Sequence, residues 1–396
     1  MARIRQIYAG DLVFVGPTGV PGLSTGSHFN YNGVYGDPYS SQITGVNLLA
    51  ELFRIQKVDY DYTKTLKDVV QYGELGRIDA VPLEQPTVNI SFDWILSNLV
   101  NEDRIGLTVS SAGATQQTSC ISGYLYNQTS PRDIFVVTTP EGQDAIGSNI
   151  SGNSFVISLG NSYISNYTVS AKVGDFATAN TRWECLNIQG QTFTGQPLQV
   201  PAINQASGLP LTGWCYLIPA ATESDGGAVT NSSTSTYSAL RPGDITFSLG
   251  LGVGDGFALP PDLKVQDVNF TINLTRERIM QLGSKYDFAK VLKFPMMCDM
   301  TVNAIIGDFQ TGSLAVLVNN NSSYNPSFTF NAPGTNNIPG IAPTPIATFG
   351  FVGAKLDSQN FTSSIGPNKT ISMKFSLQVG SSSQTGTQVY MSGIRI

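Results

Sequence analysis

The sequence predicts a mainly β protein built from two related modules, and three observations carry that prediction. First, one segment recurs without a gap at a constant offset (268 against 58, 283 against 73, a difference of 210 in each case). Val58-Asp-Tyr-Asp-Tyr-Thr-Lys-Thr65 leads to Val70-Gln71-Tyr72-Gly73, and Val268-Asn-Phe-Thr-Ile-Asn-Leu-Thr275 leads to Met280-Gln281-Leu282-Gly283. Second, both copies and several other stretches alternate apolar with polar residues, the period of a half-buried strand. Third, the composition holds 40 Gly and 21 Pro with only 13 % charged residues, about half the usual quarter, which suits many turns and a polar, uncharged surface.

The elements follow in order. Residues 1–45 are broken by Gly and Pro, as in Gly16-Pro17-Thr-Gly-Val-Pro21-Gly22, and read as an N-terminal arm. Residues 46–150 form the first β module. Val46 to Gln56 fits a short helix or a buried strand equally, since periodicity does not separate them. Val58, Tyr60 and Tyr62 then share one strand face and Asp59, Asp61 and Thr63 the other. Thr65 and Thr275 stand where a helix N-cap would be, and Gly73 and Gly283 where its C-cap would be, so a capped helical turn is expected in each copy. Two cations, Arg276 and Arg278, at such a helix start are unfavourable, so they are expected to meet acidic partners. A second strand alternates Val88, Ile90, Phe92 and Trp94 with Thr87, Asn89, Ser91 and Asp93, and Asn98 to Arg104 reads as a connecting loop. Ile134 to Thr138 is a further strand.

Residues 151–310 form the second module. Tyr163 to Val173 and Asn180 to Ile188 read as a hairpin about Gly174-Asp175, and residues 190–245 as a long surface insertion. Val268, Phe270, Ile272 and Leu274 oppose Asn269, Thr271, Asn273 and Thr275, and Met300, Val302 and Ala304 lie on a later strand. Residues 311–396 are a C-terminal β extension completing this module, with strands at Ile346–Val352, Thr370–Val379 and Gln388–Ile396 after a Pro-rich loop from Asn331 to Pro345.

Chemistry is sparse. The net charge of −6 argues against gripping nucleic acid, which needs clustered Lys and Arg, whereas a neutral or acidic wall leaves a polyanion mobile. Cys120, Cys185, Cys215 and Cys298 form no CxxC pair, so neither a zinc site nor a disulfide is expected. His28, the single histidine, sits in the arm without an orienting acid in view. Gly250-Leu-Gly252-Val-Gly254-Asp-Gly256 matches no phosphate-loop pattern. Asp59, Asp61, Glu74, Asp79 and Glu84 lack the spacing of a calcium loop and read as solvated or lumen-facing charge. The Asn-x-Ser/Thr triplets at Asn89, Asn166, Asn269, Asn273, Asn360 and Asn368 are read as composition. No stretch approaches the ~20 apolar residues of a membrane helix. No secretory pattern opens the chain, so cytoplasmic synthesis is expected. No enzymatic activity and no cofactor or metal are expected.

Several strands pair a greasy face with one of Thr, Asn and Ser, where a solvated sandwich would more often carry Lys and Glu. A water-filled lumen of short side chains explains this, as does a low-charge surface covered by subunits. At this point the residues resemble a family. Tyr163-Ile-Ser-Asn-Tyr-Thr-Val-Ser-Ala-Lys-Val-Gly-Asp-Phe-Ala-Thr-Ala-Asn-Thr-Arg-Trp-Glu-Cys-Leu-Asn-Ile188 looks like the strand, Val-Gly-Asp-Phe turn and return strand of tailed-bacteriophage major tail (tail tube) proteins. Val268 to Asp308, Leu83 to Phe92 and Val389-Tyr-Met-Ser-Gly393 are similar to other parts of that family, and together these cover about half the chain.

The resemblance implies β-sandwich or barrel modules with short helices, contributing strands to a shared inner β-barrel of a ring. Rings would stack into a tube that conducts phage DNA without binding it specifically, joined to other tail proteins in the virion, with no membrane insertion. Duplication makes the ring either three chains with pseudo-sixfold symmetry or six chains. The candidate lumen-facing residues are Asp59, Asp61, Thr63, Asn269, Thr271 and Asn273; in the opposite orientation they form the outer contact face. The alternatives are a capsid decoration or baseplate protein and a carbohydrate-binding tail fibre component.

Overall fold

The computed structural model describes residues 6–18, 46–111, 118–126, 131–140, 145, 154–193, 197–205, 207–211, 215–218, 239–240, 242–249, 264–283, 286–305, 323–332, 343–362, 370–380 and 388–394. His28, the Gly250–Gly256 run and most of the arm lie outside them. The first half comprises β1 (Gln6–Pro17), β2 (Val46–Leu48), β3 (Ala50–Leu52), β4 (Ile55–Thr63), β5 (Leu66–Val69), β6 (Asp79–Pro82), β7 (Thr87–Ile95) and α1 (Val100–Ile105). It continues with β8 (Ser110–Ser111), α2 (Ser122–Tyr126), β9 (Arg132–Pro140), β10 (Ser154–Lys172), β11 (Thr178–Cys185), β12 (Asn187–Phe193), β13 (Leu198–Gln199) and β14 (Cys215–Leu217). The second half comprises β15 (Ile245–Ser248), β16 (Lys264–Asn273), β17 (Arg276–Ile279), β18 (Ala289–Leu292) and β19 (Met296–Ile305). Then come β20 (Ser327–Asn331), β21 (Pro345–Phe351), β22 (Lys355–Thr362), β23 (Thr370–Val379) and β24 (Val389–Gly393). The protein is mainly β.

Eight strands form one continuous antiparallel path in the order β22-β23-β19-β16-β10-β11-β7-β4. Its two halves repeat each other residue for residue. The pairing of β4 with β7 runs Ile55↔Trp94, a bulge, then Lys57↔Asp93 to Tyr62↔Val88. The pairing of β16 with β19, its counterpart in the second copy, runs Val265↔Ala304, a bulge, then Asp267↔Asn303 to Ile272↔Cys298. The hairpins β5–β6 and β17–β18 keep the same offset, Leu66↔Pro82 mapping onto Arg276↔Leu292.

The next strands repeat at a different offset, 192 (355 against 163). Tyr163↔Glu184, Ile164↔Trp183 and, after a bulge, Asn166↔Arg182 in β10–β11 become Lys355↔Ser376, Leu356↔Phe375 and, after a bulge, Ser358↔Lys374 in β22–β23. At the same offset the pair Ser158↔Phe135 becomes Gly350↔Ser327, so β9 and the first half of β10 match β20 and β21. The same comparison relates β12 to β24 and β1 to β15. Each repeat is therefore two layers: an inner set β4-β7-β11-β10 or β16-β19-β23-β22, and an outer set β1-β9-β10-β12 or β15-β20-β21-β24. In the first repeat the single strand β10 passes between layers, and in the second the chain does so from β21 to β22. The chain turns at Asn161 (φ 50°) in the first and at the equivalent Gly353 (φ 79°) in the second. Asn tolerates this left-handed backbone because its side chain is held: Nδ2 donates to the Ile203 carbonyl (3.2 Å) and Oδ1 accepts from the Ile203 amide (2.8 Å).

Several expectations are corrected. The Thr65–Gly73 and Thr275–Gly283 segments are β-hairpins, not capped helical turns, and each glycine supplies the positive φ (95° and 86°) of a hairpin end. The short helices lie elsewhere, one of them at Val100–Ile105 where a loop is expected. Residues 46–48 and 50–52 are strands. Part of the arm is not an arm: β1 runs through the core side chains Val13, Phe14 and Val15 and pairs with β9 and β3. The division near residue 150 is displaced too, since β10 and β11 complete the first repeat and the second begins at β15. The 190–245 excursion contributes β13 and β14, whose Leu198 and Tyr216 pack with Phe14, Phe135 and Val156.

Alternation decides the packing. Val88, Ile90, Phe92 and Trp94 are buried, as are Val268, Phe270, Ile272 and Leu274. Phe270 meets Phe328, Phe349 and Phe351 of the outer layer at ring-centroid distances of 6.2, 5.6 and 5.2 Å. In the first repeat Phe92 stacks on Trp183 (6.4 Å), and Trp94 packs against Tyr167 (6.1 Å). The repeat equivalent of Phe270 is Tyr60, 45 % exposed on the terminal strand β4. In the dispersed chain, Phe270→Ala is expected to cost about 3–5 kcal/mol and Tyr60→Ala no more than about 0.5 kcal/mol, read from urea denaturation midpoints; equal losses would contradict this packing.

Candidate functional site

The feature with the clearest potential for function is the polar face of the eight-stranded path and the two strands that end it. Alternation and register bring together residues distant in sequence. Asp59, Asp61 and Thr63 on β4 lie opposite Ser91, Asn89 and Thr87 on β7. Asn269, Thr271 and Asn273 on β16 lie opposite Ser170, Thr168 and Asn166 on β10. All six sequence-predicted residues therefore share one face of one sheet, at matching places in the two repeats. Asp59, Asp61, Thr63 and Asn269 are exposed and Thr271 and Asn273 half-buried, on the side away from the core.

Short side chains on this face bond one another across strands. Asn166 Nδ2 donates to Asn273 Oδ1 (2.8 Å), the Thr168 and Thr271 hydroxyls approach to 3.5 Å, and Asn89 Nδ2 donates to Asp61 Oδ2 (3.1 Å). Its charges are of both signs. Lys57 pairs with Asp59 and Lys374 lies 3.5 Å from Asp299, Asp61 and Asp93 accept from the amides of Asn89 and Asn180, and Arg182 stands exposed opposite Ser91 and Asn166. The face thus offers amides, hydroxyls and scattered charge of both signs. Among the described residues it has no cationic stripe of the kind that holds phosphates.

The strands at the ends differ from their repeat equivalents in one respect, which is coverage. Phe270 and Ile272 on β16 are fully buried beside β10, whereas their counterparts on β4, Tyr60 and Tyr62, are 45 % and 54 % exposed. Val169 on β10 is buried, whereas its counterpart on β22, Phe361, is 53 % exposed. The β17–β18 hairpin is likewise seated within the chain. Arg276 lies 4.9 Å over the Tyr163 ring, and Lys290 Nζ is 3.5 Å from Glu184. Gln85 Nε2 donates to Asp287 Oδ2 while the Asp287 amide donates to Gln85 Oε1, each at 3.0 Å. Arg278 meets an acidic partner as expected, Asp287 at 2.7 Å. The corresponding β5–β6 hairpin is exposed along most of its length. No pattern in the sequence singles out these edges or hairpins.

Other reactive groups are sequestered. All four cysteines are free thiols; burial pushes Cys185 and Cys298 up to about 12 and Cys120 well above its ordinary value, so these three stay protonated. Among the described residues no cluster of three or more His, Cys, Asp or Glu converges on one point. No helix of the described residues is long and apolar enough to cross a membrane. Glu102 is fully buried in α1, where Oε1 accepts from Trp94 Nε1 (3.2 Å) and Tyr167 Oη (2.9 Å), tying the helix to both β7 and β10. A scan against protein-family models and a search of curated proteins return no match to this chain.

Burial pushes the Glu102 carboxyl up to about 7 from its ordinary 4.5, against the smaller opposing effect of its hydrogen bonds. The folded chain therefore holds more protons than the unfolded chain between those values. This contribution to stability is complete below about 4.5 and is lost as pH rises through about 7. Denaturation midpoints measured from pH 5 to pH 8 are expected to fall more steeply for the wild type than for Glu102→Gln; identical slopes would contradict the assignment.

Proposed function

We propose that the protein is a structural virion component that polymerises as stacked rings into the tail tube of a tailed bacteriophage, forming the channel for DNA ejection. The observation that carries this reading is the sheet's construction: two register-identical four-stranded units joined edge to edge, with strands at its two ends that are the counterparts of the joined pair. A chain that already repeats one joint internally continues that joint to further copies. Three chains then supply six equivalent units, a ring with pseudo-sixfold symmetry, and leave neither end of the eight-stranded path open.

In that ring the face bearing Asp59, Asp61, Thr63, Asn269, Thr271 and Asn273 lines the channel. Amides, hydroxyls and isolated cations interspersed with carboxylates would give DNA no continuous cationic track, so the polyanion passes without being held. Stacking contacts come from exposed apolar side chains on the two equivalent hairpins, Tyr72 and Leu75 in one and Leu282 and Phe288 in the other. Other tail proteins cap the tube, and assembly takes place in the host cytoplasm. The function is mechanical; no residue is assigned a catalytic role. A carbohydrate-binding tail fibre would need exposed tryptophan for sugar stacking; of the three tryptophans, Trp94 and Trp183 are fully buried and Trp214 lies outside the described residues.

Negative-stain microscopy of the purified protein is expected to show hollow, striated tubes, and native mass measurement of a released ring to give three chains. Discrete particles that never form filaments would favour a decoration or baseplate role. Rings of six chains would overturn the three-chain closure alone.

A further inference from the structure

The internal joint between β10 and β16 specifies, residue by residue, how one copy meets the next. We propose that β22 of one copy pairs antiparallel with β4 of the following copy in the register Ser358↔Thr63, Gln359↔Tyr62, Asn360↔Asp61, Phe361↔Tyr60 and Thr362↔Asp59. The proposal rests on the ring reading above and adds to it the identity of the two edges and their alignment.

The register comes from the two repeat offsets. Inside the chain β10 and β16 pair as Asn166↔Asn273, Tyr167↔Ile272, Thr168↔Thr271, Val169↔Phe270 and Ser170↔Asn269. Adding 192 to each β10 residue gives 358 to 362 on β22, and subtracting 210 from each β16 residue gives 63 to 59 on β4. Both transfers are licensed by identical bulge positions in the strands behind each edge. Among the described strands, β22 and β4 are the ends of the path, so each has a side on which no described strand pairs with it.

Side-chain chemistry fits the same alignment. Asn360 amide hydrogens face the Asp61 carboxylate, as Asn166 faces Asn273 inside the chain, and the Thr362 hydroxyl faces Asp59. On the opposite face Phe361 meets Tyr60, and Gln359 meets Tyr62, covering aromatic surface whose counterparts Phe270 and Ile272 are fully buried. No like charges are opposed. A two-residue slip would place Asn360 opposite Asp59 or Thr63 and would leave one end pair without a partner.

The β5–β6 hairpin follows as part of this contact. Its counterpart β17–β18 crosses the internal joint and seats Arg276 on Tyr163 of β10 and Asp287 on Gln85. The exposed Leu66, Val69, Val70 and Ile78 of β5–β6 would cross the joint between copies in the same way, onto the neighbour's β22–β23 end. Leu66 and Ala80 stand where the internal hairpin has Arg276 and Lys290, while the Arg278–Asp287 ion pair recurs with its charges exchanged as Asp68–Arg77 at 3.0 Å.

Hydrogen bonds fix which pairs are close. The Leu274 amide donates to the Ser165 carbonyl and the Val173 amide to the Gln266 carbonyl, each at 2.9 Å, so Thr168 and Thr271 form a non-hydrogen-bonded pair. Their counterparts Asn360 and Asp61 then have Cα atoms about 4.5 Å apart, within the range that a disulfide spans. Three full-length variants are compared after mild oxidation: Asn360→Cys combined with Asp61→Cys, with Asp59→Cys, or with Thr63→Cys. Single-cysteine variants set the background, and microscopy is run on each sample. The expected result is inter-chain cross-linking at least several-fold stronger for 360–61 than for 360–59 or 360–63, rising to covalent species of three chains. Rings or tubes with the strongest cross-link at 59 or 63, or with none, would overturn the register and leave ring formation standing. Folded chains with neither assemblies nor cross-links would overturn both.

Discussion

Backbone hydrogen bonding at strand edges is the constraint on which the rest of this structure depends. A strand inside a sheet satisfies its amides and carbonyls on both sides, and a terminal strand leaves one row exposed. This chain resolves one such edge internally, by laying β16 against β10, and among the described strands the counterparts of that pair, β4 and β22, end the path. The arrangement has a repeat unit and a direction. In the proposed assembly, copies added at both ends would generate a closed ring when twist and curvature return the sheet to its start, and an open filament when they do not.

The outer layers give that sheet a defined shape. Phe270 against Phe328, Phe349 and Phe351 in one repeat, and Phe92, Trp94, Trp183 and Tyr167 in the other, fill the space between layers with aromatic rings of different size. Strand β10 belongs to both layers, so its turn at Asn161 fixes the angle between them, and the buried carboxylate of Asp133, which accepts from the Asn161 amide at 3.2 Å, holds that turn. The second repeat holds the equivalent turn in the same way, the Gly353 amide donating to Asn325 Oδ1 at 2.8 Å, with Asn325 standing 192 residues after Asp133. Glycine and an amide thus replace asparagine and a carboxylate on one backbone path.

Half of the duplication is legible in the sequence. Over β4 to β7 the spacing to the second copy is constant, the alternation is strong and the hairpin glycine recurs, so the echo stands out. From β9 to β11 the spacing changes to 192 and side chains diverge, Tyr163 becoming Lys355 and Glu184 becoming Ser376, so the likeness survives in pairing register alone. Strand β22 escapes recognition because Lys355–Thr362 carries only Leu356 and Phe361 as apolar residues, as befits a strand at an edge. The Thr and Gly pairs imitate helix caps because glycine at positive φ closes hairpins as well as helices. The polar face, with all six of its named residues, is readable from period two alone; that it ends in two complementary edges requires the topology.

Amide hydrogen exchange compared between dispersed and assembled protein tests the central claim most directly, because it reports the edge hydrogen bonds themselves. In assemblies, the amides of β4 and β22 that face outward are predicted to gain protection comparable to that of β10 and β16, with no change in strands already paired on both sides. Assemblies in which β4 and β22 exchange as fast as in the dispersed chain would contradict the account.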